Sequence, residues 1–87
     1  MTLLQRGFVK SVQRGTIDRD IEVDAGKTYS INISDVDPNK SIVLFDGFWD
    51  SKQFIYQLLR NSILISNINT QYISRIYTLT YQVIEFY

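Results

Sequence analysis

Hydrophobic and polar positions alternate with a period of two along most of the chain, the spacing of β-strands rather than helices. The pattern is clearest over residues 28–34. Tyr29, Ile31 and Ile33 point one way and Thr28, Ser30, Asn32 and Ser34 the other, which predicts a half-buried antiparallel strand. A longer alternating run covers residues 77–87. There Tyr77, Leu79, Tyr81 and Val83 share one face, and Thr78, Thr80 and Gln82 share the other until Ile84 and Phe86 make that face apolar too. One face asks for a core, and the apolar half of the other asks for a second partner. Residues 42–45 are apolar without interruption, which predicts a strand covered on both sides, central in its sheet or at an interface. Residues 8–14 alternate loosely, and Gly15 predicts a bulge or bend before Thr16 and Ile17. Ile17, Ile21 and Val23 face inward with Arg19 among them, as at a sheet edge.

The breaks between these runs complete the outline. Residues 24–27 have hairpin-turn composition, with Gly26 free to take a positive φ. Pro38, the only proline, fixes a loop over residues 34–40. Residues 46–50 read as a break carrying two large aromatics. Residues 51–60 fit a helix through Phe54, Leu58 and Ile55, Leu59, and a strand through Phe54, Tyr56 and Leu58. A ten-residue helix alone among strands is marginal without strong caps, so the strand is favoured. Asn61 and Ser62 form a tight turn into a strand over residues 63–68, and a polar connection over residues 67–71 leads to the last strand from about Tyr72. Residues 1–7 show no period of their own and read equally as an N-terminal arm or a strand, of which the arm is taken. The pattern predicts one all-β domain over residues 8–87, an antiparallel β-sandwich of six or seven strands.

Composition narrows the chemistry. The 87 residues carry nine basic and nine acidic side chains, a balance that leaves no electrostatic footprint for nucleic acid or an anionic membrane. No run approaches the ~18 apolar residues of a membrane span, and Leu3 with Leu4 is too short for a signal-peptide core, so the expectation is a protein that stays in the cytoplasm where it is made. Cysteine and histidine are both absent. That removes disulfides, the thiolate nucleophile, the commonest general base and the best transition-metal ligands. Asp35, Asp37 and Asn39 stand at the 1, 3, 5 spacing of a calcium loop with Asp46 at position 12. Lys40 occupies the glycine position, however, and an apolar strand intervenes, so a polar turn bonded to its own backbone is expected. Asp18, Asp20, Glu22 and Asp24 share parity and form a solvated row. Glu85 lies among apolar neighbours on the parity of Tyr81 and Val83, and asks for a cationic partner such as Arg14, Arg19 or Arg75 in a structural ion pair. No catalytic residue, metal or cofactor is therefore expected, and no enzymatic activity. Phe48, Trp49 and Tyr56 could form a platform for stacking a sugar, with Asp46, Asp50 and Asn61 bonding its hydroxyls, or could serve a core or oligomer contact.

Three stretches occur in order: residues 11–16 (SVQRGT), 34–41 (SDVDPNKS) and 81–86 (YQVIEF). Together they resemble small virion-associated β domains of tailed bacteriophages, with a V-Q-R-G-T opening strand, a V-D-P-x-K-S loop leading into an apolar strand and a W/Y-Q-V-x-E-F closing strand. Such domains are similar to the H-type lectin fold, a six-stranded antiparallel sandwich that assembles as a trimer. The resemblance implies a homotrimeric structural module of the virion, assembled in the host cytoplasm, whose partners are its own copies and another virion protein of the capsid or tail. Ile84, Phe86 and Tyr87 are the residues expected at the subunit interface or in the core beneath it. A host-surface glycan held by Phe48, Trp49 and Tyr56 is the alternative partner. The chain lacks the repetitive shaft of a fibre protein, and no lectin sugar-site motif maps onto it.

Overall fold

The computed structural model describes residues 8–87, so the N-terminal arm expected over residues 1–7 lies outside the described residues. The described residues form β-strands joined by turns, with two single-turn 3-10 segments at Pro38–Lys40 and Ser51–Gln53. The all-β expectation is met, in two antiparallel sheets. In the first, β7 (Ser74–Phe86) is the central strand. β4 (Ser41–Trp49) runs along one side of it, and β1 (Val9–Ile17) and β2 (Ile21–Val23) lie end to end along the other. The second sheet has the order β3 (Thr28–Asn32), β6 (Ser62–Asn67), β5 (Phe54–Leu58).

The core lies between the sheets. Ile76, Leu79 and Val83 of β7 are wholly buried with Ile63 and Ile65 of β6, and Val23, Ile31, Val36, Val43 and Phe54 close the cluster. Removing each such side chain from water contributes about 1.5–3 kcal/mol. Period two accounts for the inward set of β3, β6 and most of β7.

Several expectations are corrected. Residues 24–27 do form a turn, with the Lys27 amide donating to the Asp24 carbonyl at 3.0 Å and Gly26 at φ 71°. The turn is not a hairpin: β2 pairs with β7 and β3 with β6, so the chain changes sheets there. Gly15 sits inside a continuous β1, whose irregularity falls at Lys10 instead, between Val9 and Ser11. β4 does not break at residue 46 but continues to Trp49, because Gly47 adopts φ 146° and lets the strand bend past β7. Nor is β4 central. It is an edge strand, with Val43 and Phe45 inward and Ile42 and Leu44 exposed on the outer face. The strand favoured over the helix for residues 51–60 is met, as β5, which is entered through the 3-10 turn at Ser51–Gln53. Tyr77 leaves the face of Leu79 because the pairing with β4 skips it, Phe48 lying opposite Thr78 and Trp49 opposite Ile76.

Candidate functional site

The three stretches quoted above, far apart in the chain, come together at one end of the sandwich. Antiparallel pairing places Ser11, Gln13 and Gly15 of β1 opposite Glu85, Val83 and Tyr81 of β7. The Gln13 side chain and Glu85, which Ser11 supports, then reach the loop that carries Pro38. The Ser11 hydroxyl donates to Glu85 Oε1 at 3.1 Å and the Asp37 amide donates to Glu85 Oε2 at 2.9 Å, with Lys10 Nζ 3.9 Å away. The Gln13 side-chain amide pairs with Ser34 as another strand would, donating to its carbonyl at 2.9 Å and accepting from its N–H at 2.8 Å. Asp37 Oδ1 accepts from the Asn39 amide and caps the 3-10 turn, which is the local bonding expected of this polar turn. Asp35 pairs with Arg60 at 3.3 Å, and the Val36 amide donates to the Arg60 carbonyl at 2.8 Å, which holds Val36 in the core.

An open cleft of about 690 Å³ lies here, lined by Lys10, Gln13, Asp35, Pro38, Arg60 and Glu85 among others. Its polar groups are already engaged with one another. Glu85, 5% exposed, has a partner on each oxygen, and both ends of the Gln13 amide are used. The expected partners Arg14, Arg19 and Arg75 do not reach Glu85. The bulge at Lys10 brings a lysine to its carboxylate, Arg14 donates to Gln82 Oε1 on the outer face, and Arg75 pairs with Asp20 and Glu22. Among the described residues no three acidic groups gather as metal ligands would. The cleft is a joint between the sheets in which charge-assisted hydrogen bonds take the place of apolar contact.

The aromatic residues divide. Trp49 stacks on buried Phe54 with centroids 5.6 Å apart and leans on Phe45 at 5.4 Å, while Tyr56 meets Phe45 edge-on at 5.1 Å. This cluster closes the side where β4 passes into β5. Phe48, the adjacent residue, turns to the outer face and stacks on Tyr77 at 4.9 Å. Phe48, Trp49 and Tyr56 therefore do not share one platform. Asp50 is occupied by the Arg75 amide at 2.8 Å, and Asn61 lies beyond the far end of β5. Phe48 is the most exposed of the three, at 70%, Tyr56 is about half exposed, and Trp49 is largely covered.

The expected interface residues emerge on that same outer face. Ile84 is flanked across the strands by Val12 and Ile42, and the next row holds Arg14, Gln82 and Leu44. Val9, Val12, Ile42 and Leu44 are all 42–50% exposed, Phe86 is half-buried opposite Val9, and Tyr87 projects beyond it, 73% exposed. None of these belongs to the core between the sheets.

Asn67 went unnoticed in the sequence, where it belongs to a polar connection. It is buried at the end of β6 and donates to the carbonyls of Val23 at 2.9 Å and Tyr72 at 3.0 Å. Its Oδ1 accepts from the Asn69 amide and the Ser74 hydroxyl. Period-two continuation from Ile63 and Ile65 was the signal that could have found it. Compared with protein-family models, curated proteins and solved structures, the chain finds no match.

Proposed function

We propose that the chain is a non-enzymatic structural module of a bacteriophage virion, a homotrimer that decorates the capsid or sits on the tail. The observation that carries this reading is the outer face of the β7 sheet, where exposed Val12, Ile42 and Leu44 surround half-buried Ile84 in an apolar cluster on a small domain. Contiguous apolar surface of this kind marks an interaction site. A closed three-fold assembly would hide it, and three linked weak contacts would give avidity toward a symmetric partner surface. The resemblance of the three stretches to virion β domains supports the setting, and the engagement of the cleft's polar groups with one another favours a structural over a chemical role.

Light scattering on the purified chain tests it: the expected mass is three times the 10.2 kDa chain, and Ile84→Asn, with circular dichroism unchanged, gives one chain mass. A wild-type chain that stays monomeric at micromolar concentration overturns the reading. Cryo-electron microscopy of the particle then places the trimer on capsid or tail.

A second reading rests on a separate observation. Phe48, stacked on Tyr77, offers a free ring beside Asp46 and Thr78, an arrangement suited to a sugar ring and its hydroxyls. A glycan array is expected to show binding that Phe48→Ala abolishes while the oligomer survives. Trp49→Ala is the wrong test, since Trp49 packs on Phe54 and its loss would disturb the fold. Retention of binding in Phe48→Ala removes this reading.

A further inference from the structure

The outer face of the β7 sheet carries a polarity that decides how two copies can meet on it. Behind the apolar rows, the next rows hold two charged residues, on opposite edge strands. Arg14 lies on β1 in the row of Gln82 and Leu44, and Asp46 lies on β4 in the row of Thr16 and Thr80. They are separated by two strand spacings, about 10 Å, and by one row. Both are exposed, and among the described residues neither is in an ion pair. Arg14 uses its Nε on Gln82, at 2.8 Å, a contact that holds the guanidinium over the outer face. The edge strands that carry the two charges also present the outermost apolar side chains, Val9 and Val12 on β1, Ile42 and Leu44 on β4.

Resting on the self-assembly reading above, we propose that the β1 edge of one copy docks against the β4 edge of the next, with Arg14 of one paired to Asp46 of its neighbour beside a shared apolar centre around Ile84. The occupant of the face is thus a second copy of this chain, because the two edges of one molecule are complementary in charge and alike in apolar character. The contact is heterologous: the two surfaces that meet are different, and a rotation that brings β1 to β4 repeats until the ring closes. Placing opposite charges at a contact rim fixes register and excludes β1 against β1 or β4 against β4, which would set like charges together.

The test is charge reversal read by light scattering and by sedimentation at several salt concentrations. Arg14→Asp and Asp46→Arg, each at an exposed position, are expected to raise the dissociation constant of the assembly about tenfold or more. Arg14→Asp/Asp46→Arg, which restores opposite charges with the polarity inverted, is expected to recover most of the loss. Neutral variants Arg14→Gln and Asp46→Asn, with thermal melts alongside, separate an assembly effect from a folding defect. Assembly unchanged in both single reversals overturns the pairing and leaves the trimer reading standing, as does a double variant no better than either single one. A monomeric wild-type chain overturns both, and assigns the face to a different protein or to none.

Discussion

Gly47→Ala is expected to leave the domain largely unfolded, or with a melting temperature lower by about 15–30 °C, at about 4–8 °C per kcal/mol for a domain of this size. Two costs add. Gly47 holds φ 146°, a region that residues with a side chain hardly populate, at about 1–3 kcal/mol. A Cβ there would also point into the backbone of β7, 2.9 Å from the Leu79 Cα and closer still to the Thr78 carbonyl oxygen. Backbone in the middle of a central strand cannot withdraw as a side-chain tip can, and overpacking of this kind costs a further 1–3 kcal/mol or so. A native domain has about 0.05–0.15 kcal/mol of stability per residue, so the sum takes much of it. Thermal melting by circular dichroism checks this, and a fall of less than about 5 °C would contradict it. Gly15→Ala is the useful contrast. Its Cβ would meet the end of the Tyr81 ring, 2.7 Å from Cε1, and a half-buried ring can swing aside where a backbone cannot.

Glu85→Ala is expected to cost about 2–4 kcal/mol, from the loss of hydrogen bonds to a charged acceptor and from two donors left behind. The Asp37 amide and the Ser11 hydroxyl both end on this carboxylate, and Lys10 loses its neighbour. The cleft is open, so water can reach the abandoned groups, which keeps the figure below that of a sealed ion pair. Glu85→Gln is the informative partner. It keeps the volume and one acceptor, but turns an N–H toward a second donor, and should recover about half of the loss. Chemical denaturation of the three proteins side by side measures both differences. Equal stability in all three would mean that the joint between the sheets does not depend on Glu85.

Much of the architecture was legible because strands with one buried face print a period of two. β3 shows it, with Tyr29 and Ile31 turned inward, and so does the Leu79, Tyr81, Val83 run of β7. What the pattern could not carry was any decision made between distant strands. Ile42 and Leu44 look like core because an apolar side chain reads alike whether a second sheet covers it or it stands exposed on the outer face. The skip at Tyr77 depends on how β4 pairs with β7, so alternation alone placed that ring on the wrong face. The turn over residues 24–27 had the composition of a hairpin, yet composition does not say which sheet the next strand joins. Glu85 was recognised as a buried carboxylate needing partners. The donors it uses include a backbone amide and a lysine delivered by a bulge, and neither has a signature in side-chain spacing.

Among the described residues, β1, β2 and β4 each pair with β7 alone, and β7 follows all of them in chain order. Ser11 waits 74 positions for Glu85. During synthesis β1, β2 and β4 therefore emerge with bare edges and no partner, while β5 and β6 can zip together locally across their short turn. Loop closure over such spans makes the search slow, on the millisecond to second scale. A ribosome pausing before residue 74 would leave those unpaired edges open to pairing with other nascent chains, which is the aggregation hazard that chaperones relieve.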